Sequence, residues 1–224
     1  MENIKIIELK ESIYEDNDKD ASLLNSELKA SHTFLVNVMS SPGSGKTTLL
    51  KSLLNKLKDK YKLGVMEADI DGDVDAYEIA KIGVKSIQLH TGGMCHLDAD
   101  MTRQGLKEID YKNLDCVFLE NIGNLVCPVE FKTGANLDLV ILSIPEGDDK
   151  PIKYPLMFKS VDLVIFNKID TIDYFDFDID RCKKYIKEIN PNCDIFSVSA
   201  LSGEGIDQLV DYFNAKLEKY IYGK

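Results

Sequence analysis

Residues 91 to 100 read TGGMCHLDAD, which sets a thiol, Cys95, directly against an imidazole, His96. Farther along, GNLVCP places a second thiol, Cys127, four residues after Gly123. Thiolate and imidazole are the ligands that suit Zn²⁺ or Ni²⁺. Three of them leave one coordination position open, whereas a closed structural site has four. By residue type alone, the ordinary alternative is a set of buried, inert cysteines. Pro128 biases the residue before it toward an extended backbone, so Cys127 is expected to be extended. His90, five residues before Cys95, is a further candidate ligand. Cys116, Cys182 and Cys193 stand in strand-like, helix-like and post-proline contexts and read as packing residues, and His32 reads as a surface residue.

Earlier in the chain, SSPGSGKTT (40 to 48) follows the apolar run FLVNVM and leads into a helical pattern. A glycine-rich turn in that setting lets successive backbone N–H groups converge on phosphate oxygens at the positive end of a helix dipole. Gly43, Ser44, Gly45 and Thr48 belong to this cradle. Lys46 is placed to reach the β and γ phosphates, and the Thr47 hydroxyl to ligate Mg²⁺. The usual pattern G-x-x-x-x-G-K-[ST] opens on glycine, and here position 40 is serine. FNKID (166 to 170) supplies N-K-x-D. The Asp170 carboxylate can accept from both N1–H and N2–H₂ of guanine, a donor pair that adenine lacks. Asn167 steadies the surrounding loops, and Lys168 stands between the two. SVSALSGEG (197 to 205) fits a further base-contacting loop, with Ser199 and Ala200 on the O6 side. The nucleotide is therefore expected to be GTP or GDP.

Two acidic stretches suit magnesium and water. EADIDGDVDA (67 to 76) offers Asp69 and Asp75 for the Mg²⁺ shell and for orienting the attacking water, with Asp71 and Asp73 as rivals. CVFLENIG (116 to 123) ends an apolar run on Glu120 and continues to Gly123, whose N–H can sense the γ-phosphate. Glutamate stands where aspartate is commoner, which leaves direct metal contact at Glu120 open. The expected catalytic set is Lys46, Asp69, Asp75 and Glu120, in a Mg²⁺-dependent GTP hydrolase. Only Arg103 and Arg181 among the 27 basic residues are arginines, so no internal arginine finger is expected and intrinsic turnover should be slow.

The elements that must carry these residues follow from the apolar pattern. Short, nearly continuous runs at 34 to 39, 63 to 68, 86 to 89, 116 to 120, 139 to 144, 163 to 167 and 195 to 200 read as strands covered on both faces. Helical periodicity lies between them, as in TTLLKSLLNKLKDK and IDQLVDYFNAKLEKY. Alternating strand and helix predicts an α/β fold, a doubly wound and mostly parallel sheet flanked by helices, with ligands at the carboxyl ends of the strands. Residues 1–30 are expected to form a helical segment packed on a P-loop domain over 31–224, with Ile13, Leu23, Leu24 and Leu28 as its packing residues.

The formal charge of −11, from 38 acidic and 27 basic residues, argues against nucleic acid or anionic membrane as a partner. No apolar run is long enough to span a bilayer, and the first residues lack the basic and apolar regions of a secretory signal. Five cysteines without regular spacing argue for reduced thiols, and with the rest for a cytoplasmic address.

Taken together, SSPGSGKTTLL, HTGGMCHLDADM, FLENIGNLVCPVEF, EGDDKPIKYPLMF and SALSGEGID closely resemble the HypB family, the nickel-inserting accessory GTPases of [NiFe]-hydrogenase maturation. The resemblance runs from about residue 10 to the C-terminus. It implies a SIMIBI-type P-loop domain that dimerises with GTP and carries a metal site at the subunit interface. The family's ligands fall on Cys95, His96 and Cys127, and Lys153 in DKPIKYP falls where it would reach the partner's nucleotide. The implied partners are a HypA-type nickel metallochaperone and the [NiFe]-hydrogenase large-subunit precursor. Many members begin with a cysteine-rich motif or carry a polyhistidine stretch. This chain has no cysteine before 95 and one histidine before 90, so tight nickel capture there is not expected. In the expected cycle, GTP orders the loops at 69 to 75 and 120 to 127, and hydrolysis frees Gly123 and loosens the metal. Rival readings are a urease accessory GTPase, which should carry Cys-Pro-His where this chain has Cys-His, a P-loop kinase of small molecules, and a zinc-stabilised GTP-binding module.

Overall fold

Each of the predicted apolar runs forms a strand in the computed structural model, which describes residues 5–8, 17–69 and 74–223. In chain order the elements are β1 (Lys5–Glu8), α1 (Asn17–Ser31), β2 (Phe34–Ser40), α2 (Lys46–Leu57), β3 (Leu63–Asp69), α3 (Val74–Ala80), β4 (Lys85–His90), α4 (Ala99–Glu108) and β5 (Cys116–Glu120). They continue with α5 (Cys127–Glu130), β6 (Leu137–Ser143), α6 (Lys150–Lys153), α7 (Pro155–Ser160), β7 (Leu163–Asn167), α8 (Ile179–Ile189), β8 (Asp194–Ser197) and α9 (Ile206–Tyr222).

The sheet runs β1-β4-β3-β5-β2-β6-β7-β8, and every described pairing is parallel rather than mostly so. The chain leaves β2 toward one edge and later returns to build the other. The carboxyl end of β2 is therefore the switch point where such sheets take ligands.

Alternate side chains of a strand point to opposite faces, and both faces are covered here, so polar breaks in the apolar runs are few. On one face, Leu49, Leu50, Leu53, Leu54 and Leu57 of α2 and Phe213 of α9 pack on Val36, Val38 and Phe118. Full burial of one such leucine contributes about 1.5–3 kcal/mol, so this stripe alone anchors the helix that follows the phosphate loop. On the other face, Leu24 and Leu28 of α1 and Met101 and Leu106 of α4 cover Leu35, Val117 and Leu119. Met157, Phe158 and Ile186 of α7 and α8 cover Val140, Leu142, Val164 and Phe166.

Four expectations change. The strand at Lys5–Glu8, paired with β4, was not foreseen. Helix α1 starts at Asn17, and Ile13 lies outside the described residues. Leu23 is 59% exposed, so only Leu24 and Leu28 of the expected stripe are core. Cys127 opens a short helix instead of lying extended, because Pro128 falls in the first turn, where its missing N–H costs nothing. Among the described residues, no helix is long and apolar enough to cross a membrane.

Candidate functional site

Helix α2 begins without a side-chain cap: its N-cap is Gly45 at φ 90°, and no side chain accepts from its first N–H groups. Those unsatisfied donors, with the helix dipole behind them, favour an anion. Gly43 and Gly45 both have positive φ, and a Cβ on Gly45 would sit 2.7 Å from Asn167 Nδ2, so glycine is required there for conformation and for space.

Ser40 replaces the first glycine without harm because it is the last residue of an extended strand. Its hydroxyl accepts from Lys46 Nζ at 3.0 Å and from Ser44 Oγ at 2.7 Å, and donates to the Ser41 carbonyl at 2.8 Å. Thr47 Oγ1 donates to Glu120 Oε1 at 3.3 Å, and Lys46 Nζ lies 4.0 Å from the same oxygen.

A cavity of about 350 Å³ opens over this cluster, lined by Pro42, Gly43, Lys46, Asp69, Glu120 and Gly123 together with Glu67, Ala68, Gln88, Asn121 and Ile122. Gly123 is there because of close approach: an added Cβ would meet Pro42 atoms at 3.0 to 3.3 Å. Asp69 is the exposed last residue of β3. Asp75 lies in α3 with its side chain outside the described residues, as are Asp71 and Asp73 entirely.

Glu67, Gln88 and Asn121 are cavity residues that the sequence reading missed. Register puts Glu67 beside both Glu120 and Gln88, and all three side chains are buried. For Glu67 the available signal was a charged residue inside the apolar run of β3.

A second cavity, of about 270 Å³, is lined by Gly45, Thr48, Asn167, Lys168, Asp170, Thr171, Ala200 and Leu201. Asn167 is the hinge of this pocket. Its Nδ2 donates to the Ser44 carbonyl at 2.9 Å and its Oδ1 accepts from Ala200 N at 3.2 Å, which joins the phosphate loop to the loop after β8. Lys168, at φ 61°, donates to the Gly43 carbonyl at 2.7 Å. Ser199 is fully buried, and its hydroxyl accepts from Ser202 N at 3.0 Å; it shapes the loop, while Ala200 lines the pocket.

The thiol–imidazole residues gather at the same edge of the sheet. Cys95 Sγ lies 3.9 Å from His96 Nδ1. Tetrahedral bonds to zinc near 2.3 Å for sulfur and 2.0–2.1 Å for nitrogen put those atoms about 3.5 Å apart, so a small adjustment lets both hold one ion. The Cys95 thiol is pushed up, first by its hydrogen-bonding contact with Cys127, then by burial, with the Glu130 carboxylate acting the same way. His96 is buried and stacks on Phe131, with ring centroids 3.6 Å apart and planes at 13°.

Among the described residues, no three His, Cys, Asp or Glu side chains converge closely enough to hold an ion. Cys95 thus meets His96 on one side and Cys127 on the other without a closed triad. His90 ends β4 in register with Asp69. Cys116, Cys182 and Cys193 are buried; burial pushes the Cys182 and Cys193 thiols up to about 12 and about 11.

Lys153 does not line the cavities described above. It pairs with Asp149 at 2.5 Å at the end of α6, beside an apolar hollow lined by Leu125, Val126, Val129, Tyr154 and Leu156. Neither arginine lines the phosphate cavity: Arg103 contacts Asp20, Glu27 and Asp100, and Arg181 contacts Asp148.

The chain matches the family described as CobW/HypB/UreG, nucleotide-binding domain, over residues 34–197. It is 38% identical over 216 residues to the hydrogenase maturation factor HypB of Escherichia coli K12, covering 96% of this chain and 74% of that one. It is 40% identical over 218 residues to the hydrogenase/urease maturation factor HypB of Helicobacter hepaticus, covering 96% and 89%. A crystal structure of HypB from Helicobacter pylori in complex with nickel is similar at a TM-score of 0.85 and 35% identity, covering 91% of this chain and 95% of that one.

Proposed function

Because this chain belongs to the HypB hydrogenase maturation factors, within the CobW/HypB/UreG nucleotide-binding family, we propose that it is a GTP hydrolase that carries nickel as its cargo and releases it when the nucleotide is turned over. The observation that carries this reading is the continuity of one short loop. Gly123 packs on the phosphate loop through Pro42, and four residues later comes Cys127, the neighbour that does most to push the Cys95 thiol up.

GTP is the nucleotide that Asp170 and the Asn167 hinge favour. The oxygen donors Thr47, Asp69 and Glu120 around the phosphate cavity fit Mg²⁺. When bound, Mg²⁺ would supply charge neutralisation at the β and γ phosphates. Lys46 holds the phosphates, and Asp69 and Asp75 are the candidates to orient water.

Nickel is held between Cys95, His96 and Cys127, with the open ligand positions completed across a GTP-dependent homodimer. An apolar surface supports that dimer: Val126, Ile152 and Leu156 are 51%, 59% and 62% exposed beside Cys127 and Lys153. Lys153 would reach the partner's nucleotide. The cargo would come from a HypA-type metallochaperone and go to a [NiFe]-hydrogenase large-subunit precursor in the cytoplasm, with zinc as the competing occupant.

Nickel titration of the wild type and of Cys95→Ala, each with GDP and with a nonhydrolysable GTP analogue, tests the proposal. The expected result is a nickel affinity that differs by at least fivefold between nucleotide states and is lost in Cys95→Ala. Equal affinity in both nucleotide states would refute the coupling.

A further inference from the structure

We propose that Asn17, the first residue of α1, is a positioning residue that holds the two nickel-bearing loops in register; this rests on the nickel reading above. Its amide group bridges them directly. Asn17 Oδ1 accepts from Ala99 N at 2.9 Å, and its Nδ2 donates to the Lys132 carbonyl at 3.1 Å.

Both contacts fall within a few residues of a proposed ligand. Ala99 is the first residue of α4, three positions after His96, and Lys132 follows Phe131, the residue whose ring stacks on His96. Phe131 in turn directly follows α5, which Cys127 opens.

The bond to Ala99 has a clear origin. The first N–H groups of a helix lack partners in the helix. Asp98 takes one of them, from Met101 N at 2.8 Å, and Asn17 takes another from outside. The chain from Cys95 through Ala99 is therefore fixed at its far end by α1. The chain from Cys127 through Lys132 is fixed to the same side chain.

Helix α1 is itself held against these loops. Arg103, 14% exposed, reaches Asp20 and Glu27 of α1 and Asp100 of α4, and Asn25 Nδ2 donates to the carbonyls of Gly134 and Ala135 at 3.2 and 3.3 Å. An amide is suited to this position because it donates and accepts at once. A residue that only accepts would keep the α4 bond and lose the other.

Groups hydrogen-bonded directly to metal ligands change metal affinity by about 10–100-fold when removed. Asn17 anchors the loops that carry the ligands and not the ligands themselves, so its removal is expected at the low end of that range. Nickel titration of the full chain, followed by thiolate-to-nickel charge-transfer absorption, is compared across wild type, Asn17→Ala, Asn17→Asp, Asp18→Ala and Cys95→Ala. GDP affinity and the urea unfolding midpoint are measured alongside.

Asn17→Ala is expected to weaken nickel about tenfold and to reduce the charge-transfer band at saturation, with GDP affinity unchanged. Asn17→Asp is expected to fall between it and wild type. Asp18→Ala loses only the ion pair to Lys132 and is expected to match wild type.

Wild-type nickel affinity in Asn17→Ala, with Cys95→Ala defective, would overturn the role of Asn17 and leave the nickel site standing. A loss of nickel matched by an equal loss of GDP affinity would also overturn it, since that marks a general structural role. Equal binding by wild type and Cys95→Ala would overturn the nickel reading itself.

Discussion

Replacing Asp138 by asparagine should make the protein more stable at neutral and alkaline pH. Asp138 sits on β6 and accepts from Asn37 Nδ2 at 2.8 Å. Its carboxyl is pushed up from the ordinary aspartate value of 3.8 to about 6, chiefly by burial, with the Asp162 charge acting the same way and Asn37 and Lys132 opposing. The folded chain therefore keeps a proton between about pH 4 and 6 that the unfolded chain has released. Its stabilising effect is complete below about pH 4 and is lost as pH rises through 6. At 1.36 kcal/mol per pH unit, a rise from 3.8 to about 6 corresponds to about 3 kcal/mol. Partial access of water to the side chain makes that an upper bound. Asparagine keeps the acceptor for Asn37 and cannot ionise. Urea unfolding of wild type and Asp138→Asn at half-unit steps from pH 4.5 to 8 is the assay. The variant should gain about 1–3 kcal/mol at pH 8, a gain that shrinks toward zero at the acid end. Other titrating groups cancel in the difference between the two proteins. Parallel stability curves, or a variant that loses stability at pH 8, would show that the carboxyl is not held neutral by its surroundings.

Gly45→Ala should weaken GDP binding at least tenfold and cost about 1–3 kcal/mol of stability, since φ is 90° and the new methyl would lie 2.7 Å from Asn167 Nδ2. Fluorescent-GDP titration and thermal unfolding check it; a variant with wild-type affinity would remove the hinge role from Asn167. Among the five free cysteines, Cys95 and Cys127 are partly exposed and the others buried. A thiol reagent should therefore modify two groups quickly in the native protein and three more only in denaturant, with nickel protecting the fast pair. Fast labelling of Cys116, Cys182 or Cys193, read by peptide mass, would contradict the packing described.

The parts of the site that were legible in the sequence are those whose chemistry is local. SSPGSGKTT carries its loop geometry within nine residues, and N-K-x-D carries within four residues both the Asn167 bridge and Asp170, which line one cavity. The strands were legible because helices cover both faces of the sheet and leave few polar interruptions. Ser40 looked like a departure because a pattern counts residue types, whereas what matters there is an extended strand end with a hydroxyl facing Lys46. The rest depends on register and on contacts remote in sequence. Glu67, Gln88 and Glu120 become neighbours only through strand pairing. The four residues of β1 are too few to show a period, and Leu23 differs from Leu24 only in helical phase. The extended backbone expected at Cys127 failed because the pre-proline preference depends on where the proline falls, and Pro128 falls in a first helical turn.

The nucleotide and nickel sites proposed above are separated by very little chain. Four residues span at most about 14 Å when fully extended, and the segment from Gly123 to Cys127 is not free to extend. Gly123 is wedged on Pro42, Leu125 is buried in the core under α7 and α8, and Cys127 already belongs to α5. Behind Gly123, Asn121 donates to Asn37 at 3.0 Å, and Asn37 donates to Asp138, so a buried amide pair fixes the start of the segment to β2 and β6. Beyond Cys127, the Phe131 stack and the Asn17 bond to Lys132 fix its end. A displacement at Gly123 has few bonds to rotate before it reaches the Cys127 sulfur. Cys95 and His96 are tied to α4 and α1, and the segment beyond Cys127 is tied to the same helix and to His96, so a displacement entering at Gly123 is confined to the few residues up to Cys127 and falls on its sulfur.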